Sequence, residues 1–86
     1  METTRQFITS DLYLSTAIAI LLNIVPQFKV ENGRTLFCFP VSDDLYQAMS
    51  EFNAGIPINA LQYSLMLKKL RGEMLMRRGM EGRSNG

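Results

Sequence analysis

The chain contains no histidine and no tryptophan, and it has one cysteine in 86 residues. It therefore lacks the side chains of a structural zinc site and those of a Ser-His or Cys-His nucleophile pair. Gly79 and Gly82 lie in a polar C-terminal stretch, and not between a strand and a helix as in a phosphate-binding loop. These absences predict a protein that is not an enzyme and that uses no metal or cofactor.

Long apolar runs are also missing. The most apolar segment, residues 12–25, is interrupted by Ser15, Thr16 and Asn23 and is shorter than the roughly 20 residues needed to cross a bilayer. No basic and apolar leader pattern follows Met1, and the lone Cys38 cannot form an intramolecular disulfide. We therefore expect a cytoplasmic protein with no membrane partner.

The most informative stretch, residues 27–41, predicts a β-hairpin. Asn32 and Gly33 stand between two runs of β-formers, and this pair tolerates the positive φ angles of a two-residue turn. Counting outward from the turn pairs Phe28 with Phe37 and places five side chains on one face: Phe28, Val30, Thr35, Phe37 and Phe39. A bare hairpin is marginal in water, so this face needs helices or a second copy of the chain to cover it. Cys38 falls on the opposite face, where a small apolar filler is favoured over a redox group.

Three helices are predicted from capping residues and apolar spacing. The first begins near Ser10 and ends at Pro26, and its apolar face is so wide that the helix should be nearly surrounded. The second covers 43–53, with Ser42 as the N-cap and Gly55 as the C-terminal glycine. The third runs from Ala60, after an Asn59 cap, to about Arg78.

Together these elements predict an α+β fold. Its order is helix, β-hairpin, helix, a short edge strand or extended connector at 56–58, and a long C-terminal helix packed on one face of a small antiparallel sheet. Residues 1–78 form a single domain in this prediction, and 79–86 form a flexible tail. Asp43 and Asp44 could be imagined as metal or acid–base groups, but their position at a helix start favours dipole compensation.

Charge is unevenly distributed along the chain. Residues 1–66 hold three basic and six acidic side chains, a net −3, whereas residues 67–86 hold six basic and two acidic ones, a net +4. Five of these cations are candidates for binding nucleic acid or a partner protein: Lys68, Lys69, Arg71, Arg77 and Arg78. Cations near a helix C-terminus are also favoured simply by the helix dipole.

Methionines continue past the expected core of the last helix. Met76 and Met80 are therefore candidates for self-association, since methionine suits adaptable partner surfaces. The favoured function is a small non-enzymatic interaction module that self-associates, most simply as a homodimer. Two alternatives stay open: nucleic-acid binding through the basic helix, and a phage- or plasmid-type inhibitor or adaptor that docks on a host protein.

Several short motifs resemble a known family. Residues 7–14, the hairpin end Phe37-Cys38-Phe39, and the segments 52–55, 58–60 and 67–70 are similar to short bacterial and mobile-element proteins catalogued as domain of unknown function 5659. Ser15-Thr16 and Pro26 depart from that pattern, where such proteins tend to carry Ala-Ala and a glycine. The resemblance implies a small cytoplasmic α+β domain of plasmid or phage origin, and it assigns no activity to any residue.

Overall fold

A computed structural model describes residues 5–83 of the chain and the side chains of residues 5–79. Three helices and a three-stranded antiparallel sheet follow one another in this order: β1 Gln6–Thr9, α1 Leu12–Leu22, β2 Gln27–Glu31, β3 Arg34–Pro40, α2 Asp43–Asn53 and α3 Ala60–Arg83. The predicted α+β class, with a long C-terminal helix packed on the sheet, is confirmed. None of the helices in the described part of the chain is long and apolar enough to span a membrane.

The hairpin has the predicted register. Glu31 pairs with Arg34, Val30 with Thr35 and Phe28 with Phe37. The two turn residues have positive φ angles, 54° at Asn32 and 74° at Gly33. These are the values that a two-residue type I′ turn requires, so the local pair determines which side chains share a face.

The third strand does not come from the segment expected to supply it. β1 pairs antiparallel with β3, with Phe7 opposite Phe39, and gives the strand order β1-β3-β2. Of the two alternatives predicted for Ile56–Ile58, the edge strand is wrong and the extended connector is correct, since the segment links α2 to α3 without pairing in the sheet. Pro57 has no N–H to donate to a sheet, whereas the backbone next to β1 continues the pairing, with Val41 N donating to the Arg5 carbonyl at 2.9 Å.

The aromatic face of the hairpin is the floor of the core. Phe37 and Phe39 are fully buried, and each helix supplies residues that cover them: Ile18 and Ala19 from α1, Leu45 from α2 and Leu70 from α3. Phe28 meets Phe37 edge-on, with ring centroids 5.6 Å apart. The prediction that helices cover this face is confirmed.

The observed ends of α1 and α2 can be compared with the predicted ones. α2 has the predicted bounds, with Ser42 Oγ accepting from Leu45 N at 3.0 Å and Gly55 at φ 86°. α1 ends at Leu22, before the expected stop at Pro26, because Asn23 adopts φ 55°. The N–H groups of Asn23 and Ile24 then donate to carbonyls of the last turn and close the helix.

α3 is longer than predicted at its C-terminal end. Asn59 Oδ1 caps it as expected, accepting from Gln62 N at 2.9 Å, but the helix continues past Arg78 to Arg83. The expected tail of residues 79–86 is therefore helical over 79–83, and its last three residues lie outside the described part. Gly72 weakens the helix by only about 1 kcal/mol. The Thr35 hydroxyl, which donates to the Met74 carbonyl at 3.1 Å, holds the next turn against the sheet.

Candidate functional site

α3 carries apolar side chains on two sides. On the inner side Leu70 is fully buried, and Met66 and Met74 are partly buried against the core. On the outer side four large apolar residues are 52% to 69% exposed: Leu61, Leu65, Leu75 and Met76. We call the outer side of the helix, which carries these four residues together with Lys68 and Gly72 between them, the outer face of α3.

The outer face is one continuous stripe. Steps of four and three residues lead from Leu65 through Lys68 and Gly72 to Leu75, which is the spacing of one side of a helix. A Cβ added at Gly72 or at Gly79 would meet no atom within 4 Å. The surface is therefore open along its length and allows another chain to approach the helix backbone.

Four of the five predicted cations lie within this stripe or on its flanks. Lys68 lies within it, Arg71 and Arg78 lie seven residues apart on one flank, and Lys69 lies on the other flank; all four are exposed. None of them forms an ion pair with a side chain of residues 5–79. The outer face therefore carries two exposed apolar pairs, Leu61 with Leu65 and Leu75 with Met76, separated by Lys68 and Gly72, and it is positively charged along both flanks.

Arg77, the fifth predicted cation, points toward the sheet. Its Nε donates to Glu73 Oε1 at 3.2 Å, its Nη2 lies at ion-pair distance from the same oxygen, and its guanidinium lies 4.7 Å from the centroid of the Phe28 ring. Arg77 therefore links α3 to the hairpin and lies away from the outer face. Met76 lies on the outer face, as a self-association role requires, whereas the side chain of Met80 is outside the described residues.

A second surface, between α1 and α2, has the opposite charge. An open groove of about 340 Å³ is lined by Leu21 and Leu22 from α1 and by Asp44, Gln47, Ala48 and Glu51 from α2. We call it the acidic groove. The sequence hinted at it only through the net charge of −3 over residues 1–66, because the two helices that form it are separated by the whole hairpin.

A third surface lies between the edge of the sheet and α3. This groove has a volume of about 500 Å³ and is lined by Val25, Pro26, Gln27 and Phe28 on the sheet side and by Lys69, Leu70, Glu73 and Arg77 on the helix side. We call it the β2–α3 groove. Sequence reasoning missed it, since nothing local to β2 shows where a helix that begins thirty residues later crosses the sheet.

The candidate reactive groups among the described residues lie in structural positions. No cluster of three or more metal-ligating side chains occurs within residues 5–83. Asp43 and Asp44 occupy the first turn of α2, where they compensate its dipole, and Cys38 is buried in the central strand. Burial, with a smaller effect of Asp11, raises the pKa of Tyr63, whose hydroxyl donates to the Tyr13 carbonyl at 3.0 Å.

Comparison with protein families, with curated proteins and with solved structures found no match for this chain. The resemblance of its short motifs to the uncharacterised mobile-element family remains a hypothesis.

Proposed function

We propose that the protein is a non-enzymatic interaction module that self-associates through the outer face of α3. The observation that carries this proposal is the exposure of four large apolar side chains on one side of a helix whose opposite side already supplies the core. Contiguous apolar patches bordered by polar residues are typical of protein–protein contact sites. Covering these half-exposed side chains contributes on the order of several kcal/mol before the cost of association is subtracted.

The positive charge of the outer face limits which surface of a second copy can pack on it. Pairing the outer face with itself would bring Lys68, Arg71 and Arg78 of one copy against the same residues of another, which like-charge repulsion disfavours. The acidic groove of a second copy offers the opposite charge, through Asp44 and Glu51, together with the apolar Leu21 and Leu22. We therefore assign the acidic groove as the surface onto which α3 docks.

A dimer can satisfy both surfaces at once. α1 packs against both α2 and α3, and the acidic groove between α1 and α2 is lined by no residue of α3, so the groove and the outer face are different parts of the helical layer. A two-fold axis then lets each α3 lie on the partner's groove, and both patches are buried reciprocally. A helix of 24 residues is about 36 Å long, which provides the length of a standard interface.

The decisive experiment reverses charge on each surface separately. We expect sedimentation velocity of the wild-type chain to show a dimer that dissociates on dilution. The pair Lys68→Glu and Arg71→Glu, or the pair Asp44→Lys and Glu51→Lys, should weaken the dimer by about tenfold or more. An equimolar mixture of the two double variants should regain both complementary contacts, one with its charges reversed and one with the original charges, and form a heterodimer.

A matched control changes the net charge equally at other exposed cations. Arg5→Glu with Lys29→Glu alters charge by the same amount as the α3 pair but touches neither surface. We expect it to leave the dimer intact. A wild-type chain that stays monomeric at about 100 µM, or a mixture that fails to recover association, would count decisively against the proposal.

Nucleic-acid binding is the second candidate, and one observation favours it. Arg71 and Arg78 are exposed along one flank of α3, Lys68 is exposed next to them, and none of the three forms an ion pair with a side chain of residues 5–79. Contact with about three phosphates would give an affinity whose logarithm falls with a slope of roughly −3 against the logarithm of salt concentration. Replacing Arg78 with Ala should reduce that slope by about one. The absence of binding to duplex DNA and to single-stranded RNA at low salt would exclude this candidate.

A further inference from the structure

β2 forms one edge of the sheet. Because the strand order is β1-β3-β2, no strand within residues 5–83 pairs with the outer side of β2. The two-residue turn makes Glu31 and Arg34 a hydrogen-bonded pair, so Lys29 and Gln27 also direct their backbone groups to β3. Phe28 and Val30 alternate with them and direct their N–H and C=O groups outward. This edge is therefore a template for an added strand.

The β2–α3 groove runs along the same edge. Phe28 and Leu70 form its apolar floor, Val25 adds a side chain that is more than half exposed, and α3 contributes Lys69 and Arg77 to its wall. An edge strand beside a helix is the arrangement in which extended peptides bind by strand addition, where the main chain gives affinity and alternate side chains enter the groove. The geometry therefore fits a peptide better than a compact small molecule.

The charge of the β2–α3 groove indicates what kind of peptide it can bind. Lys69 and Arg77 provide two positive charges and Glu73 one negative charge. Glu73 is already paired with Arg77 at 3.2 Å, whereas Lys69 is exposed and pairs with no described residue. The groove therefore favours an acidic side chain. A second copy of β2 would bring Lys69 and Arg77 of both chains together, so a different protein segment is the better occupant.

We propose that the β2–α3 groove binds an extended acidic segment of a partner protein, which adds to β2 as a fourth strand. Side chains on the inner face of that segment alternate with those facing away. An apolar residue lies over Phe28, and an acidic residue two positions along reaches Lys69. The outward N–H and C=O groups of Phe28 and Val30 pair with the backbone of the segment. This site shares only Lys69, at its margin, with the flank of the outer face of α3, so it adds a partner to a self-associating protein.

Amide hydrogen exchange measured by NMR on the full chain tests this proposal. The Lys68→Glu and Arg71→Glu background suppresses self-association without altering the groove. The probe is a capped peptide, Ser-Val-Ser-Asp-Ser-Val-Ser, in which valine and aspartate share one face. We expect it to slow exchange at the Phe28 and Val30 amides, while the amides of Lys29 and Glu31, already bonded to β3, change little.

Methylated peptides test the strand geometry. Methylating the nitrogens of valine and aspartate, or those of the serines, removes alternate backbone donors without changing any side chain. One of these two peptides should lose all protection and the other should keep it, because only one edge of an added strand faces β2. Retention of protection by both peptides would show that the contact is not strand addition and would refute the proposal.

Cations on opposite flanks of α3 provide the matched protein variants. Added to the same background, Lys69→Glu should weaken the aspartate peptide about tenfold and strengthen a peptide with lysine in place of aspartate, whereas Arg78→Glu, which does not line the groove, should change neither. If the aspartate peptide protects neither Phe28 nor Val30 at up to about 1 mM, the proposal is overturned. Protection that appears with rising protein concentration and no peptide would also overturn it, in favour of pairing between copies.

Discussion

α2 and α3 begin alike but bury their apolar residues differently. Each is capped by a side-chain oxygen, from Ser42 and from Asn59. In α2 Leu45 and Ala48 are buried, and Tyr46 is the one large apolar residue of that helix that is more than half exposed. α3 supplies Leu70 to the core and still exposes four large apolar side chains on its other side. Helices that begin with equivalent N-caps therefore differ in how many apolar side chains they expose, and α3 exposes more than α2.

The two sides of α3 should differ most under truncation. Leu70→Ala leaves a cavity beneath Phe37 and Phe39, and we expect the free energy of unfolding to fall by about 2–5 kcal/mol. Leu75→Ala on the outer face should change it by no more than about 0.5 kcal/mol at concentrations where the chain is monomeric. Urea denaturation of the two variants measures both values.

Leu70→Met is the control for that comparison. It conserves volume and should cost less than about 1.5 kcal/mol. Equal losses for Leu70→Ala and Leu75→Ala in the monomer would mean that the outer face is already covered within one chain, which would remove the basis for self-association.

Removing the caps tests whether the two helices begin with equal strength. Ser42→Ala and Asn59→Ala each leave an N–H of the first turn without its acceptor, and each should cost about 1 kcal/mol. Ser42→Thr retains an acceptor and should cost less. Thermal unfolding of these variants provides the measurement. A negligible effect of Asn59→Ala would show that tertiary contacts alone position the start of α3.

Gly72→Ala should separate the stability of α3 from its role in association. The helix gains about 0.5–1 kcal/mol from the substitution, because alanine is a better helix former and an added Cβ meets nothing within 4 Å. Dimer affinity should fall if a second copy approaches the helix closely at this position. Higher thermal stability with unchanged sedimentation would restrict the contact to other parts of the outer face.

The smallest effect concerns the contact of α3 with α1. Tyr63→Phe removes the hydrogen bond to the Tyr13 carbonyl and should cost about 0.5 kcal/mol at neutral pH. Burial and Asp11 raise the pKa of Tyr63 above its ordinary value near 10. The wild-type advantage is therefore complete below about pH 10 and is lost as the pH rises through the folded pKa. An advantage that persists unchanged at higher pH would contradict this assignment.

Much of the fold was predictable because its signals are short. Asn32-Gly33 determined the hairpin register, and Ser42, Asn59 and Gly55 marked helix ends through bonds to their own neighbours. The end of α1 had two possible stop signals, Asn23 and Pro26, and the earlier one ended the helix. Asn23 closed α1 in a left-handed conformation before Pro26 could end it.

Other features depended on distant partners. Ile56–Ile58 and Gln6–Thr9 both suit extended structure. Only Gln6–Thr9 lies beside the free edge of β3 and pairs with it as a strand. α3 continued beyond Arg78 where a glycine-rich sequence indicated a tail. The hydrogen bond from Thr35 and the contact of Arg77 with Phe28 hold its later turns on the hairpin.

The candidate sites show the same division. The positive charge of the last helix and the unusual position of Met76 were visible in the sequence. That four cations border an exposed apolar stripe while Arg77 faces the sheet could not be predicted without knowing which side of α3 the core occupies. The acidic groove and the β2–α3 groove each combine segments far apart in the chain.

The amino-acid sequence by itself determined the hairpin, its aromatic face and the starts of the helices, because each depends on bonds between residues a few positions apart. Tertiary structure alone decided which strand completes the sheet, how far α3 extends and which of its apolar side chains stay exposed. Packing on one side of a helix excludes water only there, so an apolar residue on the other side is left for a partner to cover.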